Sequence, residues 1–337
     1  MGDRTMSDPF NAFRADILRE LRAAPEVIEP GLMQRFATRD RHGDDAGFCK
    51  LFDDLRGGVF GCNRQFPGQV FTWSGVDRDR MTRGERAALA RQVDQARRQR
   101  AEAQRQQWQA QAGRLAKLWG LGLPVAAAGN GDDPVTLYLR NRLALLDGEP
   151  LNVPEALRLH PALPYRVDGE TVGTWPAMLA RLQAPDGRQL ALHRTWLTPK
   201  GRKAPTPGPC KKLTPTAGDL RGACIRLGWL GAGAAGDPLA GPVLGIAEGI
   251  ETALAARCAS GVPTVAAYSA GALTAWQWPP GLQRLVIFAD ADQAGADAAD
   301  KLRQRARAAG LSVNVMTPTT PGTDWCDVWA SRKEATA

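Results

Sequence analysis

The chain has 337 residues, with 43 Lys and Arg against 35 Asp and Glu, and a formal net charge of +8. That length accommodates two or three domains with real cores. The mostly arginine-borne positive balance suits an anionic partner, nucleic acid first, although general Arg- and Ala-rich usage would leave the same balance. No apolar run approaches the roughly 18 residues of a membrane span, the start MGDRTMSDPF has no apolar signal core, and the six cysteines show no framework spacing. Reduced thiols and a cytoplasmic location without a membrane partner are therefore expected.

In chain order, Phe10, Phe13, Ile17, Leu18 and Leu21 fall at helical spacing and predict a helix over Pro9–Ala24. Residues 41–75 alternate short apolar–aromatic runs with Gly-Gly turns, the pattern of a small antiparallel sheet. The longest helical pattern covers residues 82–119. Thr82 is its candidate N-cap, with Glu85 three residues on, and an Arg/Gln-rich tract in its middle reads as a solvated face or as a basic strut along DNA. Val135–Leu145 reads as a further helix. Met178–Gln183 and Leu190–Thr195 read as strands joined by the turn Pro185-Asp186-Gly187, with a third at Ala223–Leu227. Gly231–Gly241 is a connector. The expected organisation is a module over 1–80, a long basic helix over 81–120, a subdomain over 121–230 and a last domain over 241–330.

That last domain alternates buried strands with helices. Val243–Ala247, Thr264–Tyr268, Arg284–Ala289 and Leu311–Met316 predict a parallel sheet, and Ile250–Ala259 and Ala294–Ala309 predict crossover helices. Glu248 directly follows the first strand, and Asp290 and Asp292 follow the third, where open α/β sheets collect ligands. Three converging carboxylates repel unless a hard cation neutralises them, which suits Mg²⁺ or Mn²⁺. Acids after strands also serve simply as helix N-caps.

A strand ending in Glu248-Gly249, then one ending in Asp290-x-Asp292-x-x-Gly295, resembles the Toprim domain of topoisomerases, bacterial-type primases and some nucleases. The resemblance implies metal binding by Glu248, Asp290 and Asp292. Asp324 and Asp327 match a turn closing one Toprim subgroup and would support the metal from behind. The preceding segment resembles the α+β subdomain before Toprim in primases, most closely the primase-like proteins of phages and mobile plasmids. Tyr138, Leu139, Arg140 and Arg142 match its helix, with Leu143 replacing the family glycine. His193, Arg194 and Thr195 match its hairpin, and Lys211, Lys212 and Leu213 its basic stretch.

Phage and plasmid primases often carry a zinc ribbon where residues 41–75 lie. Only His42, Cys49 and Cys62 are available here, without the two close pairs that a ribbon needs, so a ribbon-like sheet without zinc is expected.

The implied activity is a primase-like nucleotidyl transferase making RNA primers on single-stranded DNA from NTPs. Glu248, Asp290, Asp292, Lys211 and Lys212 would be catalytic, and Arg140, Arg142, His193, Arg194 and Arg226 would bind nucleotide or template. The basic residues of the subdomain, Arg158 and Lys203 among them, are expected to share one cleft with the carboxylates, and Trp73 or Trp108 to stack on bases. No G-x-x-x-x-G-K-[ST] loop occurs, so a replicative helicase would be a separate partner. A Toprim nuclease and a non-catalytic DNA-binding replication accessory protein remain alternatives.

Overall fold

In a computed structural model, which describes residues 8–39, 44–75, 83–125, 132–146, 148–229 and 242–336, the chain divides into two units, residues 1–100 and 101–337. The first begins with helix α1 (Pro9–Leu21). Asp8 caps it by accepting from the Phe10 amide, and Pro9 opens its first turn. It stops short of the expected Ala24 because Arg22 turns left-handed, at φ 60°. Strands β1 (Gln34–Phe36), β2 (Gly47–Leu51), β3 (Gly57–Cys62) and β4 (Phe71–Ser74) form an antiparallel sheet in that order.

Phe13, Ile17 and Leu21 of α1 are fully buried in a core shared with this sheet. Phe13 meets Phe60 edge-on at 5.9 Å and Trp73 at 5.3 Å. A Cβ at Gly58 would stand 2.7 Å from the Phe13 ring, so the sheet needs glycine there. Cys49 and Cys62 are buried in the same core, and burial pushes the Cys49 thiol up to about 11. His42 and the Thr82 cap lie outside the described residues.

Helix α2 (Arg83–Gly120) leads into the second unit. There it is followed by β5 (Leu123–Pro124), α3 (Pro134–Arg142), β6 (Leu157–Val167), β7 (Glu170–Gln183), β8 (Gln189–Trp196), β9 (Lys211–Leu213) and β10 (Cys224–Ile225). Next come β11 (Val243–Ala247), α4 (Ile250–Ser260), β12 (Thr264–Ala266), α5 (Ala270–Ala275), β13 (Arg284–Phe288), α6 (Gln293–Ala308), β14 (Ser312–Met316) and α7 (Trp325–Thr336).

One mixed ten-stranded sheet runs through all of this, in the order β14-β13-β11-β12-β10-β7-β6-β5, with β8 and β9 branching from β7. The strands β14, β13, β11 and β12 are parallel, and β10 joins β12 and β7 antiparallel. The fold is thus mixed α/β, with a small antiparallel sheet before it.

The parallel strands β11, β12 and β13 are buried on both faces because helices cover both. Leu244, Ile246, Leu285 and Ile287 pack under α5 and α6. On the opposite face, Ala247, Ala266 and Phe288 share a core with Met178, Ala180, Leu182 and Ile225 beneath α3 and α4. Ala177, Leu179 and Leu192 turn the other way and pack against Leu115 and Trp119 at the end of α2.

The strand readings need two corrections. The segment containing Pro161 and Pro164 is a strand, β6, paired with a β7 that starts at Glu170 rather than Met178. Asp168 and Gly169, both at positive φ, turn the chain between them. The expected strand over Ala223–Leu227 is the two-residue bridge β10. The helix begun at Pro134 also ends at Arg142 rather than Leu145, with Ala144 at φ 45°.

Candidate active site

The carboxyl ends of β11 and β13 lie side by side, since Ala247 pairs with Phe288. Glu248 leaves β11 there, where the backbone of Ala270 at the start of α5 favours its charged form. Asp290 and Asp292 leave β13. Asp292 caps α6, its Oδ1 accepting from the Gly295 amide at 2.7 Å. Gly295 has to be glycine, because a Cβ would stand 2.7 Å from the Asp290 carbonyl oxygen.

The loop before α7 is tied to the same strand end. Gly322 donates to the Ala291 carbonyl, and Ala291 donates to the Thr323 carbonyl. Asp324 and Asp327 cap each other's amides, each bond 3.0 Å long.

These acids act on one another. Burial, then the charges of Glu248, Asp324, Asp292 and Asp327, push the Asp290 carboxyl up to about 6. Burial and Asp292 raise Glu248 as well. The Asp290 Oδ1 atom is buried without a hydrogen-bond donor. Hard oxygen donors with uncompensated charge and an orphaned oxygen fit a divalent cation such as Mg²⁺ or Mn²⁺, which keeps part of its water shell. Among the described residues, no three His, Cys, Asp or Glu side chains close into a ready metal-binding group, so water would have to complete the coordination.

A second cluster adjoins the first. Glu251, in the first turn of α4, is 5% exposed. It accepts from the Tyr138 hydroxyl of α3 and pairs with Lys211 of β9 at 2.7 Å. Burial opposes its charge, but Lys211 and Tyr138 hold its carboxyl below the ordinary range. His193 of β8 lies near this group. Burial and the Lys211 charge bring it down to about 4, and its Nδ1 has no partner. Glu251 and the Tyr138 hydroxyl were not among the expected site residues. The available signal was one acid facing inward on a helix otherwise built from Ile250, Ala253, Leu254 and Ala255.

The expectation of a single basic cleft needs correction. Opposed residues on paired strands share a face. Arg158 pairs with Leu179, Leu179 with Arg194, and Arg194 with Lys212. All four therefore point to the α2 face. Thr195 pairs with both Met178 and Lys211, which places Lys211 on the α3/α4 face. Lys211 and Lys212 diverge because consecutive strand residues must.

Lys212 lies over the Tyr165 ring at 3.9 Å. Arg194 donates to the Leu213 carbonyl and covers Trp196. Arg226 donates to the carbonyls of Ala184 and Pro185. Arg140 is occupied by the carbonyls of Leu146 and Glu149. Of the basic residues named, Arg142 is the one that reaches the acidic loops, with its guanidinium 3.9 Å from Asp324. Lys203 sits in an isolated bridge with Leu197. Trp73 is buried against Phe13, so it is not free to stack on a base, whereas Trp108 is half-exposed on α2.

Residues 243–335 match the family described as Toprim domain, and residues 109–227 match a domain of unknown function, DUF7146. Among solved structures, the chain is similar to a DNA primase domain from Pseudomonas aeruginosa. That match has 14% identity and a TM-score of 0.34, covering 51% of this chain and 52% of that one. The E. coli primase catalytic core matches at 16% identity and TM-score 0.33, covering 69% and 70%. The Aquifex aeolicus primase, with its zinc-binding and RNA polymerase domains, matches at 13% and 0.39, covering 98% and 84%. The chain spans about half the length of the Pseudomonas domain. Comparison with curated proteins gives no match. No helix among the described residues is long and apolar enough to cross a membrane.

Proposed function

We propose that this chain, whose residues 243–335 form a Toprim domain, is a primase-like nucleotidyl transferase. It would join NTPs into short RNA primers on single-stranded DNA, with Mg²⁺ or Mn²⁺ held by Glu248, Asp290 and Asp292. The observation that carries this reading is the Asp290 carboxylate at the end of β13, one oxygen orphaned and its charge opposed by four neighbouring acids. Such a site favours a cation over a proton donor. Bound metal supplies stabilisation of charge on the attacking 3′-hydroxyl and on the leaving pyrophosphate.

The protein's own groups do the positioning. Asp292 is locked as the cap of α6, and Asp324 and Asp327 fix the loop behind Asp290. Lys211 stands beside the start of α4, three residues beyond Glu248, held there by Glu251. Its remaining N–H donors suit a phosphate oxygen. Arg142, beside Asp324, offers a second positive group on the same side. His193 stays neutral at pH 7 and therefore serves as a hydrogen-bonding group, not as a charge.

The test is primer synthesis from labelled NTPs on single-stranded DNA with Mg²⁺, parent against Glu248→Gln. Product from the parent alone supports the proposal. Cleavage of the template without synthesis points to a Toprim nuclease. Strand binding without either reaction points to a non-catalytic replication accessory protein. A separate replicative helicase would be the natural partner of the active form.

A further inference from the structure

On the α2 face of the sheet, a cavity of about 550 Å³ opens between β5, β6, β7 and β10. Its walls carry three guanidinium groups, Arg158, Arg181 and Arg226, and one acid, Glu155. Val125 and Leu157 border it, but both side chains are buried in the core beneath α3 and α4. None of the three arginines has a carboxylate in salt-bridge range among the described residues. Their charge is only partly answered: burial and Arg158 lower the Arg181 pKa against the pull of Glu155.

The hydrogen bonds point the same way. Arg158 is anchored through one nitrogen to the carbonyls of Trp119 and Gly122. Arg226 is anchored to Ala184 and Pro185 and lies 3.9 Å over Trp229. Arg181 stacks on Trp119 at 4.2 Å, and its guanidinium makes no hydrogen bond at all among the described residues. The Nε atoms of Arg181 and Arg226 and the Nε1 of Trp119 are all buried donors without acceptors. Buried donors are normally satisfied. Of these residues, Arg181 and Arg226 line the cavity, with three arginines to one acid among its lining residues.

We infer that this cavity is a binding site for the phosphate group of a nucleotide, held among Arg158, Arg181 and Arg226. The volume lies in the range of ligand pockets, roughly 300–1,000 Å³, and planar guanidinium forks match phosphate oxygens. The carboxylates Glu248, Asp290 and Asp292 take no part. Arg158 points away from the Lys211 face of the sheet, so this would be a second site, distinct from the proposed catalytic one. A free nucleotide and the 5′-phosphorylated end of a single strand present the same chemistry.

The experiment is calorimetric binding to the full chain in EDTA, which silences any metal-dependent site and separates this inference from the proposed activity. The probes are GTP, guanosine, and a short DNA strand with and without a 5′-phosphate. Binding of GTP but not guanosine, weakened about 10-fold or more by Arg181→Gln, is the expected result. Preference for the phosphorylated strand over GTP would identify a strand end as the ligand.

Because Arg181 also packs on Trp119, the exposed Glu155→Gln variant is the companion measurement. Removing that acid should tighten GTP binding by about 3-fold without touching the fold. Equal binding of guanosine and GTP, no binding at millimolar nucleotide, or affinities unmoved by both variants would overturn the inference. In that case the three arginines only brace Trp119 and Trp229.

Discussion

Two acidic clusters meet at the start of α4 and are opposites in their electrostatics. At the ends of β11 and β13, Glu248 and Asp290 face other acids and have their carboxyl groups raised. Three residues beyond Glu248, Glu251 is more deeply buried, yet its carboxyl is lowered because Lys211 and Tyr138 satisfy it. Depth of burial therefore does not separate a structural carboxylate from one proposed to hold a metal. What separates them is whether the protein supplies its own counter-charge. Glu251 is complete as folded, whereas Asp290 is left with an orphaned oxygen.

The largest effect should come from removing the uncompensated side. Glu248→Gln or Asp290→Asn is expected to lower metal-dependent primer synthesis by about 100-fold or more, measured on single-stranded DNA at saturating NTP. Activity within a few-fold of the parent in both variants would break the contrast.

Removing the compensated side should show in stability instead. Glu251→Leu leaves Lys211 and the Tyr138 hydroxyl without their partner. A loss of about 2–3 kcal/mol is expected in urea unfolding, below the range for a fully buried pair because Lys211 is partly exposed.

The same pair has a pH signature. The Glu251 carboxyl is held below its unfolded value, so its contribution is fully present above about pH 4.3 and lost as pH falls further, through the folded value. Glu251→Gln should therefore lie below the parent in Tm at pH 7, the gap narrowing below about pH 4.3 and closing only at about pH 2 and below. A constant gap across that window would show that the charge is not what Glu251 contributes.

The smallest effect sharpens the comparison from the other side. In EDTA, Asp290→Asn should raise stability by up to about 1 kcal/mol at pH 7, because it removes a repelled charge. Adding Mg²⁺ should then raise the Tm of the parent and leave that of the variant nearly unchanged.

How legible these features were in the sequence follows from their physics. The strands β11 and β13 could be read because both their faces are buried, which leaves continuous apolar runs such as Leu285–Phe288, each followed by an acid. Strand β6 was not legible, since Pro161 and Pro164 argue against a strand. They are tolerated because β5 pairs with β6 only at Arg158 and Leu159, leaving the rest of that edge open.

The basic residues were legible as a group but not by face. Once Lys211–Leu213 is a strand, Lys211 and Lys212 must diverge, and a Pro/Thr-rich stretch gave no hint of strand structure. Glu251 went unread because a helix-start acid usually signals only a favourable helix dipole, and its partners lie far away in sequence.

The bridge made by β10 has a practical consequence for anyone dividing this protein. It joins the two halves of the sheet through one register pair to β12 and two to β7, while Ile225, Leu182 and Ala266 share a core beneath it. A fragment cut at the Toprim boundary, residues 243–335, would carry β12 as a bare outer strand and half of an interrupted core. Open strand edges of that kind invite pairing between copies, so the fragment should self-associate. Starting at residue 220 would retain β10 and cap that edge.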